Sequence, residues 1–147
     1  MSFFFLASDH AGFDLKQQLV EFLRAQGHTA EDLGCHSADS VDYPDYGHKL
    51  AEAMLRKPGN QGIAICGSGI GISIAANRHP HIRAALCRDV ESATLSRQHN
   101  DANVLALGAR FTDQALAEAM LKAFIETPFE GGRHERRIAK LNAVPAC

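Results

Sequence analysis

A chain of 147 residues, 46% hydrophobic and 22% charged, has the size of one globular domain with a single core, and a single domain over 1–147 is expected. Fifteen Lys and Arg against 17 Asp and Glu give a net charge of -2 and a pI near 6.4, without the basic excess that nucleic-acid or anionic-membrane binding needs, so neither partner is expected. The first apolar run is far short of the ~20 residues of a membrane span and follows no basic segment, so the chain reads as cytoplasmic, without a secretory signal.

Residues 3–7 form a short apolar run that reads as the first strand. Residues 13–26 follow as a helix, with Phe13, Leu15, Leu19, Val20, Phe22 and Leu23 near helical spacing and Gly27 as its stop. A second strand is predicted over 29–33. Residues 44–56 read as a helix carrying Tyr46, Leu50, Ala53, Met54 and Leu55, ended by the turn Lys57-Pro58-Gly59-Asn60. Residues 62–66 are the third strand, and a short helix is expected after Gly71. The fourth strand is 84–87, followed by a helix over 90–99 and a fifth strand over 104–107. A helix over 112–126 begins behind a Thr cap, and a polar helix runs from 133 to about 144. Strands that are apolar on both faces and separated by helix-length segments indicate βαβ units. The fold class is α/β, a three-layer α/β/α Rossmann-like sandwich with a five-stranded parallel sheet.

In such a sheet the ligand crevice lies beyond the carboxyl ends of the strands. Two segments stand there: Ser8-Asp9-His10-Ala11-Gly12 after the first strand, and Cys66-Gly67-Ser68-Gly69-Ile70-Gly71 after the third. Three glycines in five positions let backbone N–H groups converge into an anion-binding nest, or simply supply a tight turn. A dinucleotide fingerprint is excluded by Ile72 at its last position, and a Walker loop by the lack of Gly-Lys-Ser/Thr. Cys66 opens this turn, where a helix N-terminus and several amides favour a thiolate able to act as base or nucleophile. The alternative, a small inert buried hydrophobe, is kept for Cys35, Cys87 and Cys147. No CxxC pair is present, and reduced thiols are expected.

Asp9 and His10 offer a carboxylate to hold a hydroxyl and an imidazole to bind an anion or move protons, with a helix cap as the other reading of Asp9. His99, before Asn100 and Asp101, closes a helix either as a free imidazole or as a charge partner of the helix terminus. His28, His36, His48, His79, His81 and His134 show no HExxH or comparable spacing, so no metal is expected. After Gly131-Gly132, Arg133 and Arg137 lie four apart on one helix face and suit a phosphate clamp, unless they belong to a solvated basic helix. This terminal helix is expected to reach a partner subunit.

Taken together, five blocks resemble the ribose-5-phosphate isomerase B family over nearly the whole chain: 8–12, Asp42-Tyr43-Pro44, 65–77, Ser96-Arg97-Gln98-His99-Asn100-Asp101, and 129–134. The resemblance implies an aldose–ketose isomerase that interconverts D-ribose 5-phosphate and D-ribulose 5-phosphate through an enediolate, with neither metal nor cofactor. It makes Cys66 the base that moves a proton between C2 and C1. The amides of Gly67, Gly69, Ile70 and Gly71 would hold the oxyanion, with Ser68 assisting proton movement. Asp9 and His99 would open the furanose ring, His10, Arg110, Arg133 and Arg137 would bind the phosphate, and Tyr43 and Asn100 would touch the substrate. Ile72 stands where one branch of the family carries a glutamate, which assigns this chain to the cysteine branch. The resemblance also implies a homodimer, or a pair of dimers, with active sites between subunits. Allose 6-phosphate or a tetrulose phosphate as substrate, a subunit of a galactose-6-phosphate isomerase, and a non-catalytic sugar-phosphate sensor are the alternatives.

Overall fold

A computed structural model describes residues 1–143 and 145. The strands are β1 (Phe3–Ser8), β2 (Thr29–Asp32), β3 (Gln61–Cys66), β4 (Ala84–Leu86) and β5 (Val104–Gly108). The helices are α1 (Phe13–Ala25), α2 (Tyr43–Met54), α3 (Ile70–Asn77), α4 (Val90–Asn100), α5 (Gln114–Glu126) and α6 (Arg133–Asn142), with a 3-10 turn over His10–Gly12 ahead of α1. The sheet is parallel throughout, in the order β2-β1-β3-β5-β4.

Strand side chains alternate between faces with period two, and both faces here are apolar. Phe4, Leu6, Ile63, Ile65, Leu105 and Leu107 pack with Leu19 and Leu23 of α1 and Met120 and Phe124 of α5. Phe5, Ala7, Ala64 and Cys66 face the other way, onto Leu50 and Met54 of α2 and Ile72 and Ala76 of α3. The expected three-layer sandwich with five parallel strands is what forms. Successive strands leave β1 and β3 in opposite directions, so the topological switch, where such sheets open a crevice, falls between these two.

Four local expectations need correction. α3 begins at Ile70, one residue before Gly71, because Gly69 in a left-handed conformation ends the turn there. Thr112 does not cap α5; Asp113 does, its Oδ1 accepting from the Leu116 N–H at 2.8 Å, while the Thr112 hydroxyl is buried without a partner among the described residues. Phe13 and Phe22 are only half-buried, whereas Lys16 of α1 is fully buried. α6 ends at Asn142, and Val144 and Cys147, which the sequence reading also touched, lie outside the described residues. Among those described, no helix is long and apolar enough to cross a membrane.

Candidate active site

The carboxyl ends of β1, β3 and β5 converge on a cavity of about 530 Å³ lined by Asp9, His10, Tyr43, Cys66, Ser68 and Arg110, among others. β3 delivers Cys66 at its last position, opposite Gly108 of β5, with its side chain buried. The chain then turns through Gly67-Ser68-Gly69 into α3, and the Gly69 N–H donates to Cys66 Sγ at 3.2 Å. No other residue fits at Gly69: its φ is +78°, and a Cβ there would lie 2.5 Å from Leu86 and 2.8 Å from the Leu107 carbonyl carbon. Ser68 Oγ accepts from the Ile70 N–H at 3.2 Å. The Tyr43 ring lies directly over Gly71, where any side chain would collide with it.

On the β1 side, Asp9 is buried and its Oδ1 accepts from the Gly12 N–H at 3.1 Å. The same carboxylate thus caps the 3-10 turn and lines the cavity. His10 Nδ1 accepts from the Val41 N–H at 3.2 Å, which leaves Nε2 as the donor of the neutral ring. Arg110 is exposed beside the loop, its own N–H bonded to the Gly67 carbonyl at 3.0 Å.

An ion pair between the fully buried Lys16 and the partly buried Asp32 holds this corner from behind. Lys16 Nζ donates to both oxygens of Asp32, at 2.7 and 2.8 Å, and the Gly34 N–H and Gln17 side chain donate to the same carboxylate at 2.8 and 3.0 Å. The Gly34–Cys35 segment in turn exchanges backbone hydrogen bonds with Ser8, each of 2.8 Å, so the pair fixes the strand end that presents Asp9. Burial works to raise the Asp32 carboxyl, but the Lys16 ammonium and the two further donors outweigh it and hold it below the ordinary range.

A second group of site residues stands elsewhere. α4 leaves the carboxyl end of β4 and returns antiparallel to it, so His99 and Asn100 lie near the amino end of the sheet. Arg83, just ahead of β4, marks the place: its Nε donates to the Asn100 carbonyl at 3.0 Å and its Nη1 to Asn142 Oδ1 of α6 at 3.1 Å. The His134 ring stacks on His99 with centroids 4.5 Å apart and planes 15° apart. Glu130 Oε1 lies 3.7 Å from His99 Nε2 and 3.6 Å from His134 Nε2. Arg133 and Arg137 are exposed on α6, with no ion pair to either among the described residues. At ~3.3 Å per residue a strand of the length of β5 spans roughly 16 Å, so within one chain Cys66 and His99 stand at opposite ends of the sheet. Sequence spacing singles out none of Lys16, Asp32 or Glu130; the one local signal was the four-residue step from Glu130 to His134.

The family model for ribose/galactose isomerases matches residues 4–141, which takes in both groups. This chain belongs to that family. Among its relatives, ribose-5-phosphate isomerase B of Escherichia coli is 44% identical over 136 residues, covering 92% of this chain and 91% of that one. A putative sugar phosphate isomerase of Rickettsia bellii is 45% identical, with 92% and 94% covered. The solved ribose-5-phosphate isomerase B of Clostridium thermocellum superimposes with a TM-score of 0.93 at 46% identity, covering 95% of each chain. That of Mycoplasma genitalium, solved with bound ribulose 5-phosphate, gives 0.92 at 39% identity, covering 97% of this chain and 95% of the other. The resemblance read from the five sequence blocks is thereby borne out for family and fold.

Proposed function

We propose that this chain interconverts D-ribose 5-phosphate and D-ribulose 5-phosphate, with Cys66 as the base that carries a proton between C2 and C1. The observation that carries the reading is the Cys66 thiol at the carboxyl end of β3, with an amide donor on its sulfur and Asp9, His10 and Arg110 around one cavity. The relatives named ribose-5-phosphate isomerase B support the choice of sugar. His10, Arg110, Arg133 and Arg137 hold the phosphate through charge-assisted hydrogen bonds. Asp9 and His99 open the furanose by taking the proton of the anomeric hydroxyl and giving one to the ring oxygen. The Cys66 thiolate then removes the C2 proton, and the carbonyl oxygen becomes an oxyanion facing the amides of Gly67, Gly69, Ile70 and Gly71. Two of these amides rest on weak acceptors at 3.2 Å, the Cys66 sulfur and the Ser68 hydroxyl, which a developing oxyanion displaces. Ser68 passes the proton between the two oxygens, and Cys66 returns its own at C1. Tyr43 walls the cavity and Asn100 contacts the sugar. A positioned base of this kind contributes roughly 10²–10⁴-fold.

The separation of the two groups argues that each site is completed by a second copy. α3 supplies the geometry: Ile70 and Ile74 are 48% and 59% exposed in the single chain and, with Asn77, form one outer stripe. At its start the stripe lines the Cys66 cavity, and at its end Asn77 bonds both polar groups of Ala84 beside Arg83 and Asn100. Two α3 helices packed antiparallel about a two-fold axis set the Cys66 cavity of one copy against the His99 end of the other, an isologous arrangement with two shared sites.

Turnover by the purified chain, without added metal, is measured on ribose 5-phosphate and allose 6-phosphate in parallel. Faster use of ribose 5-phosphate is expected, with Cys66→Ala losing at least about 100-fold while its circular dichroism is unchanged. Near-normal turnover in the variant overturns the role of Cys66, and preference for allose 6-phosphate overturns the substrate. With no turnover on either sugar, and no deuterium exchange at C1 or C2, the enzyme reading gives way to a sensor.

A further inference from the structure

We propose that His99, Glu130 and His134 form a binding site for a divalent transition metal ion of the zinc class, and that its occupancy blocks the isomerase. The three ligating atoms lie within 4.8 Å of one another. The two N···O separations of 3.7 and 3.6 Å are close to the edge of a zinc tetrahedron, ~3.3 Å for bonds of ~2.0–2.1 Å. Two imidazoles and one carboxylate make a donor set that selects zinc, copper or nickel over magnesium or calcium. Three protein ligands leave a further position open to water.

The scaffold holds the ligands without freezing them. His134 is buried at the start of α6, and the Glu130 N–H is tied to the Gln98 carbonyl at 3.1 Å, one residue from His99. The side chains of His99 and Glu130 are 41% and 50% exposed in the single chain, on the side that opens to the shared cavity of the proposed assembly. The stacked rings put both Nε2 atoms on the side of Glu130. An ion must lie in the plane of each ring, so the rings tilt apart about Cβ–Cγ, a broad and soft torsion. A bound ion takes His99 Nε2 and withdraws that imidazole from ring opening. The blockade rests on the proposed isomerase reading; the binding does not.

The native oligomer, stripped of metal, is titrated with Zn²⁺ in competition with a chromophoric chelator. The expected result is one ion per chain at this site, with affinity lowered at least about 10- to 100-fold in Glu130→Gln and in His134→Gln. His79→Gln, which alters the separate His48–His79 pair, is expected to leave this binding intact. Glu130 is exposed, so its variant keeps the test decisive should His134→Gln fail to fold. A wild-type chain that competes no better than Glu130→Gln overturns the site. Zn²⁺ is then expected to inhibit ribose 5-phosphate turnover reversibly, with the sugar phosphate competing; stoichiometric binding without inhibition overturns the blockade. A chain that turns over no sugar phosphate counts against the isomerase reading, while the titration still decides the site.

Discussion

Lys16 has no exposed side-chain surface, and its ammonium is accommodated there because Asp32 accepts from it with both oxygens. Removing one partner of such a pair costs more than the pair itself contributes, because the other charge stays buried and uncompensated. Asp32→Asn is therefore expected to lower stability by about 3–5 kcal/mol, read from urea unfolding at neutral pH. The sign of the pH effect follows from the carboxyl being held below its ordinary value of 3.8. Its contribution is present above that value and is lost as pH falls through the lower native one. The variant should accordingly lose less further stability on acidification than the parent. None of this is legible in the sequence. An amphipathic pattern counts apolar positions, and a lysine on the apolar face registers only as an interruption until its partner at the end of β2 is known.

At the level of elements, two neighbours at the start of α5 pull in opposite directions. Asp113 caps the helix, and Asp113→Ala is expected to cost about 1 kcal/mol. Thr112 buries a hydroxyl with no partner among the described residues, so Thr112→Val is expected to leave the thermal midpoint unchanged or raise it. Calorimetry on both variants separates the two, and a loss in Thr112→Val would restore the threonine as a cap. Sequence placed all five strands and six helices because two-sided apolar runs and glycine or proline stops are strong local signals. It missed the cap by one residue because threonine and aspartate are both good caps, and only the path of the chain chooses between them. Cys66, Asp9 and His10 were legible for the same reason: a parallel sheet dictates that residues just past a strand face the crevice. Applied to α4, the same alternation would have put His99 at the far end of the sheet, since a helix that follows a parallel strand must run back.

For the whole molecule, that placement makes the proposed site a property of two chains. Mixing inactive Cys66→Ala with inactive His99→Gln and allowing the subunits to re-pair is expected to restore activity. Half of the random dimers are mixed and each carries one intact site, so recovery of about a quarter of wild-type turnover is expected. No recovery under conditions where exchange is demonstrated would show that each chain works with its own His99.

α3 also works as a ruler. Its eight residues span about 12 Å between the thiol end and the histidine end of one chain, and on the proposed assembly this span brings the thiol end of one copy level with the histidine end of the other. One residue inserted between Ile70 and Ile74 would turn everything beyond it by about 100°, swinging Ile74 off the stripe and moving Asn77 out of register with Ala84. The turn over 57–60 carries no such duty, with Gly59 exposed and open space around it. Insertions and deletions tolerated in descendants of this chain should therefore accumulate in that turn and leave the length of α3 unchanged, even where its apolar residues are exchanged for one another.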